Sequence, residues 1–308
     1  MEDSASFLHI ATAVFDRLGL AVIYALALTS LWLSPTVSLS EGARRFRLLG
    51  PALLIVMLTA GTDLLLRTAA LADVGLQETW PYIFRVLDHS DYGQFWQWRI
   101  DLWWLLLLVT LWIYATDWSN RAAMIILFAV LATFLFESAT SHAGENGIWT
   151  LANLVNTVHL ASTTIWGGAV IVYALLVVPE LLRNRDARRT RLAVRRLSSL
   201  ATVALVLVIL SGIYNTWRQL EQPADLWTSE YGRILLAKLG LVAIMMAIGA
   251  MNRFRWVPRV VEHANDPGNA GTVPLQQFHQ VLRIDSAVFI LIIIAASLLG
   301  TTSPPGHG

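Results

Sequence analysis

Residues 151–178 read LANLVNTVHLASTTIWGGAVIVYALLVV, without a single Asp, Glu, Lys or Arg. A helix rises about 1.5 Å per residue, so this stretch is long enough to cross the roughly 30 Å hydrocarbon core of a bilayer. Runs of the same kind recur along the 308-residue chain, which is 56% hydrophobic and only 14% charged. Soluble domains carry about 25% charged residues. This chain has too few to cover a surface facing water, so a soluble enzyme, a secreted disulfide scaffold and a disordered chain are excluded. The absence of cysteine also excludes thiolate metal ligation and CxxC redox chemistry. Glu2 and Asp3 open the chain, and the first apolar run is long enough to span, so no cleavable signal is expected.

Outward from that stretch, the apolar runs predict an all-α, polytopic membrane protein in contact with the lipid bilayer. Eight transmembrane helices are expected, at about 6–32, 47–70, 98–116, 121–140, 151–179, 196–217, 231–252 and 280–301. With the N-terminus outside, the inner loops hold fourteen arginines, from Arg44 to Arg259, and the outer loops only Arg85 and Arg218. Cytoplasmic loops carry the positive excess, which puts both termini on the periplasmic side. The outer loops and N-terminal tail hold ten acids, an excess that favours a cation arriving from outside. The arginine run 183–196 reads as a stop-transfer loop, and no nucleic-acid partner is expected. Trp80, Trp96, Trp149, Trp217 and Trp227 fall near outer boundaries, as an interfacial aromatic belt.

The two halves look alike. Arg44-Arg45-Phe46 matches Arg195-Arg196-Leu197, and Ala60-Gly61 matches Ser211-Gly212. Ser90-Asp91-Tyr92-Gly93 matches Ser229-Glu230-Tyr231-Gly232, which sets Arg99 opposite Lys238, the only lysine. His9 stands close to the counterpart of His159. The pattern predicts a parallel 4+4 repeat, with residues 1–140 as an N-terminal four-helix half and 141–308 as a C-terminal one. Any site would then lie between the halves.

Seven histidines are the most informative side chains. His89, His142 and His307 fall in outer loops or the tail, His9 and His159 within spans near their outer ends, and His263 and His279 towards the cytoplasm. Asn153, Asn156 and His159 recur every three residues and make one polar stripe, extended by Thr163 and Gly167. Gly167-Gly168 would let another helix approach closely. With Glu137 and His142 just upstream, a carboxylate, two imidazoles and two amides can converge at the outer face. Such donors suit Cu(II) and tolerate Zn(II). The competing reading makes His159 and the asparagines helix–helix hydrogen-bonding groups and leaves His142 solvated. Asp63 and Arg67, four apart, are expected to pair, while Arg67, Arg99, Asp101 and Arg233 lie close enough to span ends to snorkel. Arg283 and Asp285 are expected near the inner end of the last span. Met57, Met245, Met246 and Met251 form no ligand motif and read as gap-filling core.

Taken in order, Ser141-His142-Ala143, Asn156-x-x-His159, Trp166-Gly167-Gly168, Ser211-Gly212, Tyr231-Gly232-Arg233-x-x-x-x-Lys238 and Asn252-Arg253 resemble the CopD family of copper resistance proteins. Arg283-x-Asp285 and Pro304-Pro305 resemble that family's last helix, although members usually carry Glu at the Asp285 position. The resemblance implies copper transport or acquisition at the bacterial inner membrane, by a protein that is not an enzyme. It implies a copper ion as the bound species and a small periplasmic partner of the CopC type. His142 and His159 are the matching ligand positions. His9 and His89 are added from topology and the repeat, with Glu137, Asn153, Asn156, Lys238 and Asp285 as supporting or pathway groups. Two other functions stay open: a membrane oxidoreductase holding haem between His9 and His159, and an anchor for a periplasmic copper protein. In the latter the outer loop with Trp80-Pro81-Tyr82 and Asp88-His89 would be the docking surface. Oligomeric state is open too, a homo-oligomer included.

Overall fold

A computed structural model describes residues 2–33, 39–116, 119–220, 222–266 and 269–302. Pro304, Pro305 and His307 lie outside the described residues, as do the side chains of Arg44 and Arg45. Among the described residues, all regular structure is helical, and eight helices are long and apolar enough to cross a membrane. We number these α1 (Glu2–Leu33), α2 (Leu39–Ala72), α3 (Asp91–Thr116) and α4 (Asn120–Ala139). Then come α5 (Leu151–Val172), α6 (Ala187–Gln219), α7 (Glu230–Met251) and α8 (Asn269–Gly300). The chain is a multi-pass, all-α membrane protein.

Several helices outrun their apolar stretch, because apolarity marks where the chain meets lipid while caps decide where a helix starts. Asp186 accepts the Arg189 backbone N–H (3.0 Å), so α6 begins at Ala187, among its arginines, rather than near 196. α8 likewise begins at Asn269 rather than near 280. α5 and α7 each continue through a π-helical turn, Tyr173–Val177 and Asn252–Trp256, into Val178–Asn184 and Val257–His263. Each π turn stops just before a Val-Pro pair, Val178-Pro179 and Val257-Pro258. A proline inside a helix lacks an N–H and crowds the carbonyl four residues back. One extra residue in the turn relieves both faults.

The packing is inside-out relative to a soluble protein. Leu58, Leu108, Phe128, Leu210 and Ile213 point outward, 63–65% exposed, whereas Asp16, Arg99, Asn153 and Asp285 are buried. α1 and α5 stand at the centre. Each packs on the helix after it, on the other, and on both α4 and α8. Two apolar cores result, one chiefly among α1–α4 around Leu20, Trp103 and Phe134, the other among α5–α8 around Tyr173, Phe278 and Phe289. Gly167 and Gly168 allow this centre to close. A Cβ on Gly167 would meet the Phe289 ring at 2.1 Å, and one on Gly168 would meet Ala21 O at 2.3 Å.

The turns leading into α3 and α7 are built alike. Ser90 Oγ accepts the Gly93 N–H (3.0 Å) and donates to Val86 O (2.6 Å). Ser229 Oγ accepts the Gly232 N–H (2.9 Å) and donates to Asp225 O (2.6 Å). Ser90 thereby starts α3 at Asp91, well before the apolar run at 98. The connection before it is an ordered cap of short helices, Leu76–Glu78, Trp80–Tyr82 and Ile83–His89. Trp80, Trp149, Trp217 and Trp227 are exposed as a belt requires. Trp96 instead is half-buried and donates its indole N–H to Ala60 O (3.2 Å).

Candidate metal-handling site

Polar side chains from all eight spans gather towards one side of the bundle. His159, Arg99 and Lys238 each stand eight residues into a helix that begins at Leu151, Asp91 or Glu230. That places all three about 12 Å below the helix start. Two hydrogen-bonded groupings share the layer.

The first surrounds α1. Arg99 Nη2 lies 3.6 Å from Asp16 Oδ2, and Thr59 donates to Asp16 Oδ1 (3.0 Å). The guanidinium also sits over the Trp103 ring, 5.1 Å from its centroid. Arg99 therefore does not snorkel: it is 7% exposed, because Asp16 and Trp103 meet it at its own depth. The next residue on α1, Arg17, turns to other neighbours. Its Nε is 3.8 Å from Glu137 Oε1, and Nη1 donates to Ser297 Oγ (3.3 Å). Asp63 and Arg67 do pair, at 3.9 Å, and Tyr92 donates to Asp63 (2.8 Å).

The second grouping joins α4, α5 and α6. Asn156 donates to Ser138 Oγ (2.9 Å) and accepts from Asn215 (2.9 Å), while Ser138 donates to Asn153 O (3.2 Å). Asn153 donates to Ile148 O (2.9 Å), tying the preceding loop to the start of α5. Asn156 thus serves as an interhelical fastener, the role set against metal binding above, while the Asn153 side chain bonds within its own loop–helix junction and its Oδ1 has no partner. One turn deeper, His159 Nδ1 lies 3.0 Å from Ser211 Oγ. That hydroxyl already donates to Leu207 O (2.5 Å), so the imidazole N–H donates to Ser211. Nε2 then carries the lone pair, the arrangement a nitrogen ligand needs. His159, Lys238 and the fully buried Met245 line one cavity of about 20 Å³, room for about one water.

The other histidines stand apart. His142 is exposed in the loop after α4, its Nδ1–H on Glu145 Oε1 at 2.5 Å. His89 is exposed at the end of its short helix, and His9 is half-buried on α1 within electrostatic reach of Asp63 and Arg67. Among the described residues, no group of three or more His, Asp or Glu side chains forms a metal cage. These residues lie towards one end of the bundle, but their rings are not brought together. His279 does not face the cytoplasm freely: it is half-buried and its Nε2–H donates to Ala174 O (2.7 Å). Ser138 and Asn215 were not singled out from the sequence. Asn215, one turn from Ser211 on α6, was the available signal.

Profiles of known families match both ends of the chain: "Copper resistance protein D-like, N-terminal domain" over residues 1–152 and "Copper resistance protein D" over 191–299. The chain belongs to the CopD family. The inner membrane protein YebZ of Escherichia coli is 26% identical over 302 residues, covering 97% of this chain and 99% of that protein. The copper transport protein CutJ of Bacillus subtilis is 31% identical over 131 residues, 42% of this chain but only 24% of the relative. Copper resistance protein D of Pseudomonas syringae pv. tomato is 28% identical over 165 residues, 52% of this chain and 51% of the relative. No solved structure matches. As a CopD-family member, the chain falls among copper resistance and transport proteins rather than enzymes.

Proposed function

We propose that this CopD-family protein carries copper across a bacterial inner membrane, receiving the ion on the periplasmic side. The observation that carries the reading is His159. It is an imidazole about 12 Å inside the bundle, its N–H held by Ser211 and its other nitrogen presenting a lone pair. Ligating histidines commonly donate the second N–H to an oxygen in this way, which fixes ring and tautomer. Copper is the cargo. His142, oriented by Glu145, is the first contact in the outer loop, with His9 and His89 as further nitrogen donors on that face. Glu137, Asn153 and Asn156 hold the layer in place. Lys238, beside His159, sets the charge the ion meets. The ordered cap at 73–90 exposes Trp80, Phe84 and His89, a surface suited to a small periplasmic copper donor of the CopC type.

Residues 1–140 and 141–308 are read as two parallel copies. Supporting this are the equivalent roles of α1 and α5, the separate cores, and the matching serine hydrogen bonds before α3 and α7. The arginine asymmetry supports termini on the periplasmic side. A phosphatase reporter that works only outside the cytoplasm is expected to be active after Gly300 and inactive when inserted at Asn184. The opposite result would invert the orientation and remove the outer histidines from the entrance.

Metal analysis tests the function. Purified wild type is expected to bind copper and its expression to raise cellular copper. The double variant His142→Ala/His159→Ala is expected to lose at least about tenfold in copper affinity, the low end for disturbed metal sites. Unchanged binding and unchanged cellular copper in that variant would overturn the reading.

A further inference from the structure

The buried face of α8 runs Leu275, Phe278, Leu282, Asp285, Phe289, Ile292, with a carboxylate where the pattern asks for an apolar side chain. Asp285 is 2% exposed, and its Oδ1 has no hydrogen-bond partner. Because α8 starts at Asn269, Asp285 is not near the inner end of its helix. It lies fifteen residues, about 22 Å, below the outer end at Gly300. A bare carboxylate at such depth is strongly unfavourable unless a positive charge shares its place.

Among the described residues, no side chain nearby is available to supply that charge. On the segments packed against α8, Arg253 donates to Ser198 and Thr202, and Arg255 and Arg259 sit over Trp256. His279 donates to Ala174 O, His263 Nδ1 is on Arg259 O, and Arg183, Arg283 and Glu262 are exposed. Glu180 takes a hydrogen bond from Asn184. Arg17, Lys238 and His159 belong to the outer layer described above. What the inner half offers instead is oxygen. Asn252 is 8% exposed with its own Oδ1 unpartnered, and it opens the π turn of α7, which packs on α8. The π turn of α5 packs on α8 as well. Irregular turns facing a buried charge are how membrane transporters commonly build ion sites.

We infer that Asp285 anchors a second cation site deeper in the bundle than the His159 layer, with the buried Asn252, on the π turn that packs against α8, as a candidate oxygen donor. The site takes a small hard cation, a proton or sodium, whose movement drives that of copper. Carboxylate and amide oxygens favour a hard cation over copper. The coupling rests on the transport reading above, whereas the site does not.

Infrared difference spectra of the full-length protein in liposomes separate the two. Wild type is expected to show a protonated-carboxyl band on acidification that Asp285→Asn lacks. If sodium at constant pH leaves the band alone the cation is a proton, and if sodium suppresses it the cation is sodium. No Asp285-dependent response to either overturns the site. In uptake assays, Asp285→Asn is expected to bind copper as wild type does but to lose at least about tenfold of the uptake driven by a pH or sodium gradient. A variant as gradient-responsive as wild type overturns the coupling. Wild type that moves no copper overturns the transport reading and leaves the infrared result standing. Should Asp285→Asn fail to fold, Asp285→Glu serves instead: it keeps an acid and is expected to shift the band, and an unmoved band overturns the site.

Discussion

Replacing Asp16 by alanine is expected to destabilise the protein by about 3–5 kcal/mol, the usual cost of stranding one partner of a buried ion pair. Arg99 would be the stranded partner, left with the Trp103 ring at 5.1 Å and the weaker pull of the Glu137 and Asp63 carboxylates. A guanidinium cannot shed its proton in a protein, so its charge stays in the bundle. Arg99→Met strands a carboxyl group instead, which can neutralise itself by taking a proton and which still accepts from Thr59. The expected order is therefore Asp16→Ala worst, Arg99→Met milder, and the double variant Asp16→Ala/Arg99→Met milder than Asp16→Ala alone. Denaturant unfolding of the purified variants in mixed micelles checks the order. Equal losses in the two single variants, or a loss under about 1 kcal/mol for Asp16→Ala, would mean that the pair is not the buried, water-excluded contact seen here.

Gly168→Ala is expected to cost about 1–3 kcal/mol, although it adds one methyl group and raises helix propensity. The new Cβ would lie 2.3 Å from Ala21 O, 2.9 Å from Ala21 C and 3.1 Å from Ala25 Cβ. Two of those atoms are backbone of α1, so relief requires the two central helices to separate. Gly240→Ala is the control, since a Cβ there meets nothing within 4 Å. It is expected to leave stability unchanged or to raise it slightly. The same unfolding measurement distinguishes them, and equal behaviour of the two variants would refute the close crossing of α1 and α5.

Eight spans were legible because solvation by lipid is a local property. A stretch such as 151–178 declares its surroundings residue by residue, without reference to any other part of the chain. The family was legible for a related reason: short motifs such as Asn156-x-x-His159 and Tyr231-Gly232-Arg233 keep their order along the sequence. The Asp63–Arg67 pair, four residues apart on one helix, could also be read directly. Helix ends were not legible, because Asp186 and Ser90 set them by side-chain caps within charged or polar stretches that hydropathy does not resolve.

The sequence by itself determined a membrane protein of eight helices, its charge asymmetry and its membership of a copper-handling family. Only the tertiary structure decided which partners the buried polar groups have. Arg99 looked able to reach the membrane surface until α1 brought Asp16 to its depth. Arg17 meets Ser297 across 280 residues of chain. Asn156 joins three helices, while the four histidines expected to share an outer face remain on separate elements. Asp285 changed from a residue near a helix end to an unpaired carboxylate deep in the bundle. Each of these outcomes depends on how whole helices rotate and slide against one another, and that is set by the summed packing of two cores rather than by any residue's own chemistry.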